Sequence, residues 1–281
     1  MTPDEKKQLQ LIAVHIREGV LTGTHAAKAG HPGGSLSAAD LLAYLYFKEL
    51  RVDPKNPEWE DRDRFVLSKG HAAPALYAAL ALRGFFPEDE LTTLRRIGSR
   101  LQGHPNMNLI PGVDMSTGSL GQGVSAAAGM ALAAKRQGKD LRVYALLGDG
   151  ETQEGEVWEA LMFVRHYKLD NLCVIIDNNG LQIDGKISDV MDPNPIPDKL
   201  RAFGFAVTEI DGHDFEQIEA AFARAKATKG VPFAIVMKTV KGKGVSYMEN
   251  QAGWHGKAPN DEEYEAAMKE LRAQLAGLEA Q

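Results

Sequence analysis

The sequence predicts an α/β fold, a doubly wound and mainly parallel sheet with helices on both faces, and three observations carry that reading. Residues 141–147 (LRVYALL) and 172–176 (LCVII) are continuous apolar runs of strand length, as expected of parallel strands buried on both faces. Between them, residues 155–167 place Val157, Trp158, Leu161, Met162 and Arg165 at helical spacing, which completes a strand–helix–strand unit. Each run ends in a polar turn: Gly148-Asp149-Gly150 after the first, Asp177-Asn178-Asn179-Gly180 after the second. Ligands of open α/β sheets bind in the crevice at the carboxyl ends of the strands, so Asp149 and Asn179 are expected to meet at one point.

The remaining elements follow in order. Residues 4–22 and 36–50 read as helices, the second from Leu36, Leu41, Leu42, Leu45 and Tyr46. A Pro- and charge-rich loop over 52–62 leads to a short strand at 65–67, and residues 73–83 and 88–97 read as further helices. Residues 98–123 hold six glycines and two prolines with little apolar periodicity, and a loop of that length in a compact domain is normally functional. A small-residue helix follows at 124–136, whose alanines and Gly129 suit close packing on the sheet. Beyond the strand–helix–strand unit come a proline-broken loop at 188–197, a strand at 205–210, and a helix at 214–228 with Asp214 as N-cap and Gln217 three residues on. A last strand is expected at 233–237, a glycine-rich stretch at 238–259, and a polar helix at 261–276 stopped by Gly277.

Length and charge bound the function. At 281 residues one large α/β domain, spanning 1–281, is the simplest count. A net charge of −6 without a long basic run argues against a nucleic-acid binder. The single cysteine, Cys173, lies within an apolar strand and is expected in the core, and there is no disulfide framework or zinc cluster. The polar N-terminus lacks an apolar leader and no apolar run is long enough to span a bilayer, so a cytoplasmic location is the expectation.

The two turns carry chemistry. A carboxylate from Asp149, an amide oxygen from Asn179 and a nearby backbone carbonyl are hard oxygen ligands suited to Mg²⁺ or Ca²⁺, with coordination places left for diphosphate oxygens. Gly148 and Gly150 let the backbone turn sharply and approach a phosphate. Asp, Asn and Gly also populate ordinary strand-end turns, and it is the pair at adjacent strand ends that favours a metal. Four of the eight histidines, His31, His71, His104 and His255, lie in loops beside Gly or Pro, whereas His15, His25, His166 and His213 lack such contexts and read as structural.

The GDG turn followed some thirty residues later by NN resembles the diphosphate-binding motif of thiamine diphosphate enzymes. Lys28-Ala29-Gly30-His31-Pro32-Gly33-Gly34, residues 63–71 (DRFVLSKGH), Gly103-His104-Pro105, residues 117–123 (TGSLGQG) and Trp254-His255-Gly256 occur in the order seen in transketolases, over residues 9–260. The resemblance implies a thiamine diphosphate-binding fold with metal ligands at Asp149, Asn179 and the Leu181 carbonyl. It places His71 and His255 against the diphosphate, His31, His104 and His255 against sugar hydroxyls, and the backbone of Gly118 and Leu120 against the aminopyrimidine. Imidazole suits that role because ketose cleavage moves protons on and off sugar oxygens near neutral pH. Ser119 stands where many transketolases have proline, and Asn178 where many have aspartate. Glu154 matches an acidic residue near the dimer contact and reads equally as an exposed acid at a helix start. Residues 241–244 (KGKG) read as a lid over phosphate or as a solvated basic turn.

The resemblance extends over only the first half of a transketolase. The pyrimidine-binding domain, with its activating glutamate and sugar-phosphate arginines, and the C-terminal domain have no counterpart here, although the chain starts with Met1 and ends in a polar helix like a complete one. The expectation is the diphosphate-binding half of a split transketolase acting on sugar phosphates. It is expected to be inactive alone and to form an α₂β₂ heterotetramer with a separate C-terminal subunit. Another thiamine diphosphate enzyme stays open, whether a specialised pentose-phosphate transketolase, a deoxyxylulose phosphate synthase or the α chain of a 2-oxo acid dehydrogenase. So does a non-catalytic scaffold.

Overall fold

The computed structural model describes residues 1–280 and begins with a helix, α1 (Pro3–Ala27), whose ends are written in the sequence. The Thr2 hydroxyl accepts the Glu5 N–H at 3.2 Å while the Glu5 carboxylate accepts the Thr2 N–H at 2.7 Å, a capping box with proline in the first turn. α1 runs five residues beyond the expected end, because Gly23 and Thr24 are still buried, and stops at Lys28 with φ 50. The helix expected at 36–50 is instead divided. It forms α2 (Pro32–Leu36), α3 (Ala39–Tyr44) and a π turn over Leu45–Glu49, in which the Leu50 N–H reaches back to the Leu45 carbonyl at 2.8 Å.

Strand β1 (Arg64–Leu67) and helix α4 (Ala73–Arg83) match their reading. Residues 88–97 do not form an α-helix. A 3₁₀ segment, Glu88–Thr93, ends where Arg95 adopts φ 59 and its N–H turns to the Leu101 carbonyl at 2.8 Å. Leu91 and Leu94, three apart as that period requires, are the residues buried here. The long glycine loop leads into α5 (Gln122–Arg136). Here Gly123, not Gly129, makes the close approach: a Cβ on Gly123 would stand 2.6 Å from Ser68 Cα, whereas one on Gly129 would meet nothing within 4 Å.

Next come β2 (Val143–Gly148), α6 (Gly155–His166) and β3 (Leu172–Asn178). A two-residue hairpin of β4 (Leu181–Gln182) and β5 (Gly185–Lys186) follows, too short to leave a periodic trace. The proline-broken loop contains α7 (Ile187–Val190) and the start of α8 (Ile196–Ala202). Strand β6 (Ala206–Asp211), helix α9 (Phe215–Ala227), strand β7 (Phe233–Lys238) and helix α10 (Asp261–Glu279) complete the chain. Asp214 caps α9 by accepting from the Glu216 and Gln217 N–H groups. Helix α10 passes through Gly277 instead of stopping there. A glycine inside a helix costs only about 1 kcal/mol against alanine, and Leu275 and Leu278 on either side pack on the core.

Five strands form one wholly parallel sheet in the order β1-β2-β3-β7-β6. Alternate residues separate its two faces. Leu67, Leu146, Cys173, Ile175 and Ile235 pack beneath α1, α3, α4 and α9, whereas Val66, Ala145, Val174, Ile176 and Val236 pack beneath α5, α6 and α8. All ten are essentially inaccessible, so the uninterrupted apolar runs are explained by helices on both sides. Cys173 is a free, buried thiol. No helix among the described residues is long and apolar enough to cross a membrane.

Candidate active site

The carboxyl ends of β1, β2, β3 and β7 open into one cleft of about 320 Å³. β2 delivers Asp149, β3 delivers Asn179 and the backbone of Leu181, β1 runs on into Lys69 and His71, and the segment after β7 carries Lys241 and His255. The anticipated meeting of Asp149 with Asn179 therefore occurs, across strands in direct register (Gly148 opposite Asp177).

Asp149 is buried, and its two carboxylate oxygens accept the N–H groups of Gly150 at 2.8 Å and Gly180 at 2.6 Å. Burial, with the neighbouring Asp177 carboxylate, pushes its pKa up to about 6, against the pull of those amides and of Lys241. The Asn179 side-chain oxygen accepts the Leu181 N–H at 3.1 Å, and the Leu181 carbonyl accepts from Lys241 Nζ at 3.0 Å. Each of these oxygens retains a lone pair, and together they are the hard donor set a divalent ion needs. Among the described residues no group of three His, Cys, Asp or Glu side chains could hold a metal. An ion here would draw on one carboxylate, on neutral oxygens and on a ligand's own, which a diphosphate supplies.

Three of the four loop histidines cluster. Ring centres of His31 and His71 lie 5.4 Å apart, His31 and His255 5.4 Å, and His71 and His255 5.0 Å. Burial first, then the nearby Arg95, His104 and Lys241, lowers His31 to about 4. Burial and Lys241 lower His255 to about 3, and burial and Lys69 depress His71. At neutral pH these rings are uncharged, each offering one N–H and one lone pair. The Lys241 ammonium donates to His255 Nδ1 at 2.9 Å, which leaves the proton of that ring on Nε2. His104 stands outside this cluster and exposed, its ring against the backbone of Gly118, where a Cβ would fall 3.0 Å from its Cγ. Leu120 lines the cleft and Gly118 does not. Glu154 also lines the cleft, exposed at the start of α6, its Cβ 3.1 Å from where Gly121 would carry one.

Three charged residues, Lys69, Asp177 and Glu151, escaped the sequence reading, and a fourth, Lys241, stands there between two readings. Lys69 and Asp177 form a fully buried ion pair beneath the cleft, in which Lys69 also donates to the Gly34 carbonyl at 2.8 Å and Ser37 donates to Asp177 at 2.7 Å. Burial opposes a charged Asp177, but Lys69 and the hydroxyls of Thr239 and Ser37 hold its pKa below the ordinary carboxylate value. Glu151 is buried directly under the turn, where it accepts from Ser68, from the Gly121 N–H at 2.9 Å and from the Gly148 N–H at 3.1 Å, tying three loops together. Lys241 is 2% exposed, so the solvated basic turn is excluded for it. Burial and the nearby Lys69 lower its pKa to about 8. The only trace of these groups in the sequence is charge within or beside apolar strands, which does not distinguish buried pairs from surface ones. Of the histidines read as structural, His25 stacks on Tyr264 at 4.1 Å, His15 pairs with Glu18, His166 packs against Tyr167 and His213 pairs with Asp40, and none lines the cleft.

Comparison with known proteins places this chain in a family. The family model described as "Transketolase, thiamine diphosphate binding domain" matches residues 9–276. The 6-deoxy-6-sulfo-D-fructose transketolase subunit SqwG of Clostridium sp. (strain MSTE9) is 45% identical over 273 residues, covering 97% of this chain and 99% of the relative. One of the apulose-4-phosphate transketolase subunits, that of Phocaeicola vulgatus, is 44% identical over 271 residues, 96% of each chain. The crystal structure of transketolase from Campylobacter jejuni superposes with a TM-score of 0.88 at 34% identity, covering 98% of this chain but 43% of that one.

Proposed function

The chain belongs to the transketolase family, to whose thiamine diphosphate binding domain it corresponds, and from that premise we propose that it is the diphosphate-binding subunit of a two-chain transketolase. The observation that carries this reading is the convergence of Asp149, Asn179 and the Leu181 carbonyl with three neutral histidines around one cleft at the strand ends. The relatives named as subunits are matched over nearly their whole length, the whole transketolase over less than half. That contrast supports one diphosphate-binding domain in this chain, with the pyrimidine-binding and C-terminal domains on a separate subunit; an α₂β₂ assembly of the two is part of the proposal.

Thiamine diphosphate, when bound, supplies the nucleophilic carbon and the electron sink that allow the C2–C3 bond of a ketose to break. Asp149, Asn179 and the Leu181 carbonyl would hold Mg²⁺, or Ca²⁺ by the same oxygens, and Gly148 and Gly150 would let the backbone approach the diphosphate. Lys241, His71 and His255, which line the cleft, would bind its oxygens. Leu120, and Gly118 beside it outside the cleft lining, would offer backbone groups to the aminopyrimidine, and Glu154 would lie toward the subunit contact. His31, His104 and His255 exchange hydrogen bonds and protons with the sugar oxygens. Their neutrality matters, because an uncharged imidazole accepts from a hydroxyl as readily as it donates to a carbonyl.

The reaction is the transfer of a two-carbon ketol unit from a ketose phosphate such as xylulose 5-phosphate to an aldose phosphate such as ribose 5-phosphate. A second reading, a donor of less common structure with an anionic tail, is favoured by the substrates in the names of the similar subunits. Both are tested by co-purifying the chain with its partner and assaying ketol transfer to ribose 5-phosphate with thiamine diphosphate and Mg²⁺. Xylulose 5-phosphate, 6-deoxy-6-sulfofructose and apulose 4-phosphate serve in turn as donors. Turnover is expected with at least one of them and lost in Asp149→Ala. Cofactor binding without turnover on any donor would reject ketol transfer, and an active Asp149→Ala variant would reject the site.

A further inference from the structure

Two loops beside the cleft are fastened to each other with unusual closeness, the one after β6 (Gly212, His213) and the one after β7 (Thr239, Val240, Lys241). The Gly212 N–H donates to the Lys238 carbonyl at 2.8 Å, and a Cβ on Gly212 would fall 2.5 Å from Thr239 Cγ2, so no side chain fits between them. His213 then completes the join. Its Nδ1 lies 2.6 Å from an Asp40 carboxylate oxygen that Arg17 also engages, and the Val240 N–H donates to its Nε2 at 2.9 Å. A backbone N–H cannot accept, so Nε2 is the lone-pair nitrogen and the proton sits on Nδ1, facing the buried Asp40. Val240 lies beyond the last residue that β7 pairs with its neighbours, and no other acceptor among the described residues serves its N–H. The next residue is Lys241, whose ammonium reaches the Leu181 carbonyl at 3.0 Å and His255 Nδ1 at 2.9 Å inside the cleft.

We propose that His213, its tautomer set by Asp40, is a positioning residue that holds Lys241 in place through the Val240 backbone and thereby sets the affinity of the cleft for a diphosphate. The inference rests on the reading above that Lys241 faces diphosphate oxygens. A side chain that merely supported the fold would lower stability without its effect depending on Lys241. A positioning residue loses its effect once Lys241 is gone.

The experiment is a double-mutant cycle read as the dissociation constant of thiamine diphosphate at saturating Mg²⁺, in the complex with the partner chain. Thermal melts and kcat at saturating cofactor are measured alongside. His213→Asn keeps the Asp40 contact but cannot reach Val240, and is expected to weaken binding about tenfold, the size of one orphaned buried N–H, with kcat unchanged. His213→Gln places an amide oxygen near the position of Nε2 and is expected to restore most of the affinity. Lys241→Met is expected to weaken binding by itself, and His213→Asn added to it to weaken binding no further. Should His213→Asn fail to fold, Asp40→Asn, which releases the tautomer, takes its place in the cycle. Additive effects, a His213→Gln variant no better than His213→Asn, or loss of melting temperature with unchanged affinity would each overturn the inference alone. Wild-type affinity in Lys241→Met would overturn the diphosphate role of Lys241, and the inference with it.

Discussion

Replacing Asp149 with asparagine is expected to stabilise the protein in the absence of divalent ions while abolishing its affinity for them. Burial and the neighbouring Asp177 raise the Asp149 carboxyl from 3.8 to about 6. At about 1.4 kcal/mol per pH unit, keeping it ionised at neutral pH costs the folded protein about 3 kcal/mol. The sign follows from proton binding. Between pH 3.8 and about 6 the folded protein binds this proton more tightly than the unfolded chain, so stability falls as pH rises through that window, and the cost is complete above it. Asparagine avoids the cost but has one acceptor oxygen where the carboxylate uses two for Gly150 and Gly180, a loss of about 1–2 kcal/mol. The expected net gain at pH 7.5 is therefore about 1–2 kcal/mol, or about 2–6 °C in melting temperature. Urea denaturation in EDTA at pH 7.5 and pH 5 measures it, with the advantage shrinking to about zero at the lower pH. With thiamine diphosphate and Mg²⁺ at about a hundred times the dissociation constant, the wild type should gain about 2.7 kcal/mol and the variant nothing. A variant less stable than wild type by more than about 1 kcal/mol at pH 7.5 in EDTA, or a difference independent of pH, would refute the assignment of a strained carboxylate at this turn.

Three further outcomes follow from the same geometry. Because a metal must displace the Asp149 proton, the apparent Mg²⁺ affinity should fall about tenfold per pH unit below about 6 and stay level above it, as calorimetry from about pH 5 to 8 would show; a flat profile would exclude Asp149 as a ligand. Lys69→Met leaves the buried Asp177 carboxylate without its cation and should cost about 3–5 kcal/mol in urea denaturation, partly recovered by adding Asp177→Asn; a loss below about 1 kcal/mol would mean the pair is not buried as described. Gly33→Ala places a Cβ 2.8 Å from the Trp254 carbonyl oxygen and 3.1 Å from Lys241 Cγ. It should weaken cofactor binding and cost about 1–3 kcal/mol, and wild-type affinity would show that this contact yields freely.

The parts of the molecule that were legible in the sequence are those where one physical cause dominates. Uninterrupted apolar runs mark β2 and β3 because helices cover both faces of the sheet, and that topology alone brings Asp149 to Asn179. The glycine loop before α5 was equally plain, since no periodic element tolerates so many glycines. What stayed hidden depends on partners distant in sequence. Lys69 and Asp177 are 108 residues apart, and each reads alone as an ordinary strand-end charge. Glu151 looks like any acid at a helix start until Ser68, Gly121 and Gly148 are seen to converge on it. The 3₁₀ segment at Glu88–Thr93 and the π turn at Leu45–Glu49 carry the same apolar spacing as an α-helix over so few residues, so tertiary packing decides between them. The four loop histidines looked equivalent in sequence, yet His104 sits exposed on Gly118 while the rings of the other three cluster together.

The central claim is that this cleft is half of an active site and that a second chain completes it. The most direct test is the ketol-transfer rate of this chain alone, the partner alone and the two mixed, with thiamine diphosphate and Mg²⁺ present throughout. The account predicts turnover only in the mixture, rising to a plateau at one partner per chain. Substantial turnover by this chain alone would contradict it.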